Sequence, residues 1–278
     1  MEWLVIIGQL VLSLGLAVLV GSFIVLAVPE SKRPSLTIPP LVIAGSVIGV
    51  LVGTFIPVLQ ITFALMPRLS FTSALEMVLL SYRTGLAWSF TLLSSVFLLV
   101  LYALFGHRKE RRYHVGYLAL TVVMIGTIAW ASHASSVALL RGFLGDFLHL
   151  LAAAVWVGVV FVIAWFSKDT SHWTEWLKWF SPVAFLSFVT LGISGLLLMD
   201  LMVPNYVAGL RTAYGQGLLI KHLLMIPLIF YIVVNSFFMK RWMEARNVNP
   251  IPWVRAESLI LFAIFLATAY FSHQAPPN

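Results

Sequence analysis

"GDFLHLLAAAVWVG", residues 145–158, reads as a helix built for lipid that nevertheless carries Asp146, His149 and Trp156. These fall at i, i+3 and i+10, close to one helical stripe. Polar groups in a bilayer are costly and face a bundle interior or a cavity. The stretch therefore decides two things together: the chain crosses a membrane, and this helix faces something other than lipid.

The rest of the chain agrees. Of its 278 residues 61% are hydrophobic and only 10% charged, where a soluble domain is about one-quarter charged. A hydrocarbon core of about 30 Å needs roughly 20 apolar residues per helix. Eight stretches qualify, at 3–28, 38–66, 85–105, 113–133, 143–166, 179–202, 217–240 and 253–272. Alternating strand patterning is absent, which argues against a β-barrel. The expected fold is an all-α integral membrane protein, a single polytopic domain over 1–278 with helices 1–4 in 1–135 and helices 5–8 in 136–278. The first stretch has no positive n-region and too long an apolar run for a signal peptide, so it reads as a retained helix. In 67–84, Glu76 and Arg83 interrupt the apolar residues. That segment reads as an interfacial helix, with Gly85 as the bend into the third span.

Lys and Arg orient the bundle. The loops after helices 1, 3, 5 and 7, the last running to Arg255, hold twelve of the 17 basic residues, with "HRKERR" (107–112) the densest run. That side is expected to be cytoplasmic, which places both termini outside. The net charge of +7 follows from the same bias. It fits anionic lipid headgroups, and no nucleic-acid patch is visible.

Orientation sorts the seven histidines. His107, His114 and His172 fall in or beside cytoplasmic loops and read as solvated. His133, His149, His222 and His273 all come out in the external half of the membrane. Imidazole is the commonest metal-binding side chain, and several histidines from separate helices at one level are what a metal or haem site requires. His149 is the deepest. Asp146, one turn away, is placed to orient it by accepting the second ring N–H, and Trp156 covers its inner side. Met199 and Met202 end helix 6 on the same side, and Met225 lies one turn below His222. Thioethers suit copper(I), but they are also common filler in apolar helices. Lys221 and Asn235, on one face of helix 7, form an expected polar strip running inward. Pro57, Pro182 and Pro227 free carbonyls within their helices. Cys is absent, so there is no thiolate trap and no disulfide.

"DFLHLLAAAVWVG" (146–158), "TLGISG" (190–195), "RTAYGQGLLIKHLLMIPLIFYIVVN" (211–235) and "SHQAPP" (272–277) together resemble the CopD family of bacterial copper-resistance membrane proteins. The likeness covers helices 5–8. His149, Trp156, Tyr214, Gly215 and Lys221 match its motif positions. In the N-terminal half only "SHA" (132–134) adds support. The resemblance implies copper handling at the bacterial cytoplasmic membrane, with uptake from the periplasm or exterior. It also implies a separate CopC-like copper-binding partner, since no such domain lies in this chain.

Two other readings share these residues. One is a b-type haem protein, such as a cupric reductase, with His149 and His222 as the axial pair. The other is a sensor or assembly factor that holds copper for another protein. No hydrolase or transferase constellation appears, so the chain reads as a transporter and not an enzyme. Glu257, beside Arg255 near the cytoplasmic start of helix 8, reads as a paired or snorkelling residue.

Overall fold

The computed structural model describes residues 2–106, 108, 110–203, 205–234, 249–272 and 274. The described residues form helices α1 (Glu2–Ala27), α2 (Pro40–Leu65), α3 (Phe71–Ser81), α4 (Arg83–Phe105), α5 (Arg111–Trp130), α6 (His133–Val137), α7 (Leu139–Phe166), α8 (Trp173–Met202), α9 (Tyr206–Gly209), α10 (Ala213–Val234) and α11 (Ile251–Ser272). Eight of them (α1, α2, α4, α5, α7, α8, α10 and α11) are long and apolar enough to cross a membrane. The all-helical, multi-pass reading holds.

α3 is a separate helix of 11 residues, about 16 Å long and too short to span. Ser70 caps it by accepting from the Ser73 amide at 3.3 Å. The bend into α4 lies at Tyr82, whose backbone is extended. Gly85 has a different task from the one its position suggested. It sits inside α4, where a Cβ would lie 2.0 Å from the Val78 carbonyl oxygen, so it lets the start of α4 lie against the end of α3.

α1 and α7 form the centre. Water drives no association inside lipid, so helices there close up through small residues. Gly21 meets Gly158 at their crossing: a Cβ on Gly158 would stand 1.9 Å from the Ala17 carbonyl oxygen. α1 approaches α2 similarly, with Gly53 against the Gly8 carbonyl oxygen at a would-be 2.6 Å. Leu19, Phe23, Val47, Leu98, Tyr117 and Met124 fill the core between α1, α2, α4 and α5.

His114 belongs to this core and not to a solvated loop. It lies in α5 at 5% exposure, edge-on to Tyr117, with the Arg33 charge close by. Aromatic residues and the α1–α2 loop cover this end of α5, and a count of loop charges could not register that cover.

On the other side of α7 the packing is looser. α8 lies along α7, α10 lies along α11, and α11 packs on both α7 and α1. Among the described residues α8 and α10 are not packed backbone to backbone, and the groove between them holds a cavity lined from α7, α8, α10 and α11. At the basic end of the bundle a short clasp ties the α1–α2 loop to the α7–α8 loop. The Lys168 amide donates to the Ser35 carbonyl at 2.8 Å, and the Thr37 amide to the Phe166 carbonyl at 3.2 Å. The Asp169 carboxylate accepts from the Ser35 hydroxyl and from the Ser171 amide at 2.9 Å. The Ser171 and Ser35 hydroxyls hold that carboxyl well below the usual carboxylate range.

Candidate functional site

Five ionisable residues of α7, α10 and α11 stand in two storeys on this side of the bundle: Asp146, His149, Lys221 and His222 in one and Glu257 in the other. The first storey, at the N-terminal end of α7 and named the outer one after the expected orientation, is polar. His149, half-buried on α7, places Nδ1 3.1 Å from the Ser194 hydroxyl of α8. Ser194 has one hydroxyl hydrogen, and it goes to the Thr190 carbonyl at 2.6 Å. The serine oxygen is then left to accept, so Nδ1 carries the proton and donates. The network thus assigns the lone pair to Nε2, the nitrogen that would meet a ligand. Gly195 makes room for this: a Cβ there would already touch the imidazole Cε1 at 3.5 Å.

Asp146 is turned elsewhere. Its carboxylate takes a hydrogen bond from the Ser132 side chain and lies in the field of Lys221. Ser132 caps α6 by accepting from the Ser135 amide at 3.3 Å, which leaves its hydroxyl hydrogen free to reach Asp146. α6 can cross the head of α7 because Gly142 lies against Ala134, where a Cβ would stand 1.9 Å from the carbonyl oxygen. In place of Asp146, Ser194 and the Leu191 backbone orient the histidine.

α10 supplies the facing wall. The Thr212 hydroxyl accepts from the Gly215 amide at 3.1 Å, and a Cβ on Gly215 would sit 2.1 Å from the Gly209 carbonyl oxygen. That tight turn explains the "YG" in the resembling stretch. It brings Tyr206 of α9 to His222, hydroxyl to Nδ1 at 3.0 Å. Lys221 sets its ammonium over the Phe271 ring at 5.9 Å, and Tyr214 meets the same ring edge-on at 5.2 Å. Asp146, His149 and His222 all lie within range of the Lys221 charge.

The other expected residues are placed as follows. His133 starts α6 and is exposed. Met199 and Met202 are half-buried at the end of α8, while Met225 packs into the apolar cluster around Trp156 and Leu228. His273 and Asn235 lie outside the described residues. Among the described residues no three His, Cys, Asp or Glu are grouped to hold a metal. Ser194, Ser132 and Tyr206 were missed as partners. Two of them sit inside quoted stretches, "TLGISG" and "SHA", and a hydroxyl beside the histidine helix was the available signal.

Trp156 closes the outer storey from below. It is 2% exposed and stands edge-on to Phe188 of α8, centroids 5.9 Å apart. Beneath it lies a cavity of about 110 Å³ walled by Trp156, Trp173, Trp176, Phe180 and Phe188, with Glu257 of α11 also on its lining. Glu257 is 6% exposed. Its neighbour Arg255 is directed to the Ala164 carbonyl at 3.0 Å and to the face of Trp165.

Residues 174–271 match the family model described as CopD, copper resistance protein D. The chain is also 30% identical over 144 residues to the copper transport protein CutJ of Bacillus subtilis (strain 168), a match that covers 49% of this chain and 26% of that relative. The chain thus spans about a quarter of the length of the curated relative it matches. No solved structure matches.

Proposed function

We propose that the chain, whose residues 174–271 match the CopD family model, binds copper in the outer storey of the α8–α10 groove and moves it across the bacterial cytoplasmic membrane. The proposed direction is inward from the periplasm or exterior, with both termini outside. The observation that carries the reading is the His149–Ser194–Thr190 chain. It fixes the ring and presents Nε2, as outer partners do for metal-bound histidines. His222, fixed through Tyr206, is the proposed second ligand. His133 and His273, from the outer ends of their helices, are proposed as capture residues for copper handed over by a separate CopC-like protein. Met199 and Met202 provide soft contacts nearby.

Lys221 has a distinct part. A positive charge beside the ligands weakens cation binding and so favours release. Asp146 offsets that charge when no copper is bound.

The test is a competition titration of copper on the purified protein, with flux in proteoliposomes. His149→Ala should weaken copper binding at least a hundredfold and abolish flux, and unchanged affinity would defeat the reading. Copper binding by the wild type without flux would make the chain a holder or sensor. Stoichiometric iron with a haem absorption band would make His149 and His222 haem ligands.

A further inference from the structure

A second groove, open to the surroundings, lies on the N-terminal half of the bundle. Phe90 of α4, Val123, Gly126, Thr127 and Trp130 of α5, and Phe143 of α7 line it. Residues 123, 126, 127 and 130 fall at i, i+3, i+4 and i+7. They form one stripe about 10 Å long that ends at Trp130, the last residue of α5. Gly126 keeps the floor low: a Cβ there would meet only the Phe147 ring, at 3.9 Å. The Thr127 hydroxyl is engaged with the Met124 carbonyl at 2.8 Å and the Thr91 hydroxyl at 3.1 Å, so it adds little polarity to the wall.

Arg83 stands at the Trp130 end. It opens α4 seven residues before Phe90, on the same stripe of that helix. Its guanidinium lies over the Trp130 ring, 5.9 Å from the centroid. It is exposed, and among the described residues no carboxylate lies within ion-pair distance of it. Arg141, at the same end of the bundle, is by contrast paired with Asp200 at 2.6 Å.

We propose that this groove seats one acyl chain of an anionic phospholipid, with the lipid phosphate on Arg83. The lipid comes from the leaflet at this end of the bundle, the outer one in the expected orientation. The apolar walls cannot choose the occupant alone, because lipid tails are as apolar as leucine and only close packing holds them. The charge chooses. A guanidinium presents paired N–H donors that match two phosphate oxygens, and the indole beneath it restricts where it points. Tryptophan at the end of a span marks headgroup level, so a groove descending from Trp130 repeats the order of a lipid: phosphate first, then chain. A zwitterionic headgroup brings an amine that offsets the phosphate, and an anionic one does not. A second copy of this chain would fill the groove but leave Arg83 without an anion. The seated chain packs on Phe143, which stacks on Phe147 at 5.9 Å, in the helix that carries His149. The proposal does not depend on copper being the cargo.

Native mass spectrometry of the full chain in detergent, titrated with phosphatidylglycerol or phosphatidylcholine, tests it. The wild type should hold one phosphatidylglycerol about tenfold more tightly than phosphatidylcholine. Arg83→Gln should erase that preference. Gly126→Leu, which fills the groove from its floor, should weaken both lipids about tenfold. Phosphatidylglycerol brominated on its chain should quench indole fluorescence in the wild type and less in Trp130→Phe. Wild-type selectivity in Arg83→Gln would overturn the proposal, and so would wild-type lipid retention in Gly126→Leu. A wild-type dimer that Gly126→Leu separates with lipid binding intact would overturn it too, since the groove would then seat a second copy. If Gly126→Leu does not fold, Arg83→Gln and the quenching decide.

Discussion

The two sides of α7 are built by opposite rules. Toward α1 and α2, backbones touch through glycine and the core is dry aliphatic and aromatic packing. On the other side α8 lies along α7, but α8 and α10 are not packed on each other, and Asp146, His149, Lys221 and His222 lie on these helices above an aromatic cavity. One helix serves both sides: Gly158 faces the tight side, while His149 and Trp156 face the loose one. Rigidity on one side is what allows polar residues to be held in a defined geometry on the other.

The largest effect should come from closing the tight side to its small residues. Gly158→Leu forces α1 off α7, because even a Cβ meets the Ala17 carbonyl at 1.9 Å. It should cost more than about 3 kcal/mol, seen as loss of monodisperse protein and a collapsed melting transition in detergent. Gly192→Leu on α8, where a Cβ meets nothing within 4 Å, should shift stability by less than about 0.5 kcal/mol. Equal losses in the two variants would erase the distinction between the sides.

A smaller effect tests whether the loose side is a preorganised site. Ser194→Ala removes the hydroxyl partner of His149 Nδ1, leaving the Leu191 backbone, and should weaken copper binding about tenfold, as loss of an outer partner does, with little change in melting temperature. Lys221→Met should act with the opposite sign. Removing a positive charge from the field of both histidines should tighten copper binding on the order of tenfold. Slower release should lower flux in proteoliposomes. A copper affinity that falls in Lys221→Met would show that the lysine organises the site.

The smallest effect lies in the clasp. The folded state holds the Asp169 carboxyl below its ordinary range, so its contribution is present above the unfolded value near 4 and is lost as pH falls below that value. Asp169→Asn should lower the melting temperature slightly at pH 7, and the gap to wild type should close on acidification. A gap that widened in acid would have the sign wrong.

The eight spans were legible because hydropathy at this length has few other meanings, and His149 was legible because a histidine in such a run is expensive. What the pattern hid was direction around each helix axis. Asp146 was one turn from His149, yet it faces Ser132 and Lys221 while Ser194 reaches the ring from another helix. His114 was judged by its nearness to "HRKERR" and proved buried, because burial depends on neighbours that only the tertiary arrangement supplies. "GSVIGVLVG" (45–53) carried a small-residue face that went unread. Gly49 and Gly53 of that run meet α1, while Gly45 meets nothing.

The contact of Gly21 with Gly158 also sets a schedule. α1 leaves the ribosome before α7, and its partner follows about 140 residues later, roughly 7–30 s at ordinary elongation rates. Throughout that interval the bare face of α1 rests against lipid or the insertion machinery. Gly158 belongs to the same helix as His149, so this side of the bundle takes its place only when an older and a much younger segment of the nascent chain find each other.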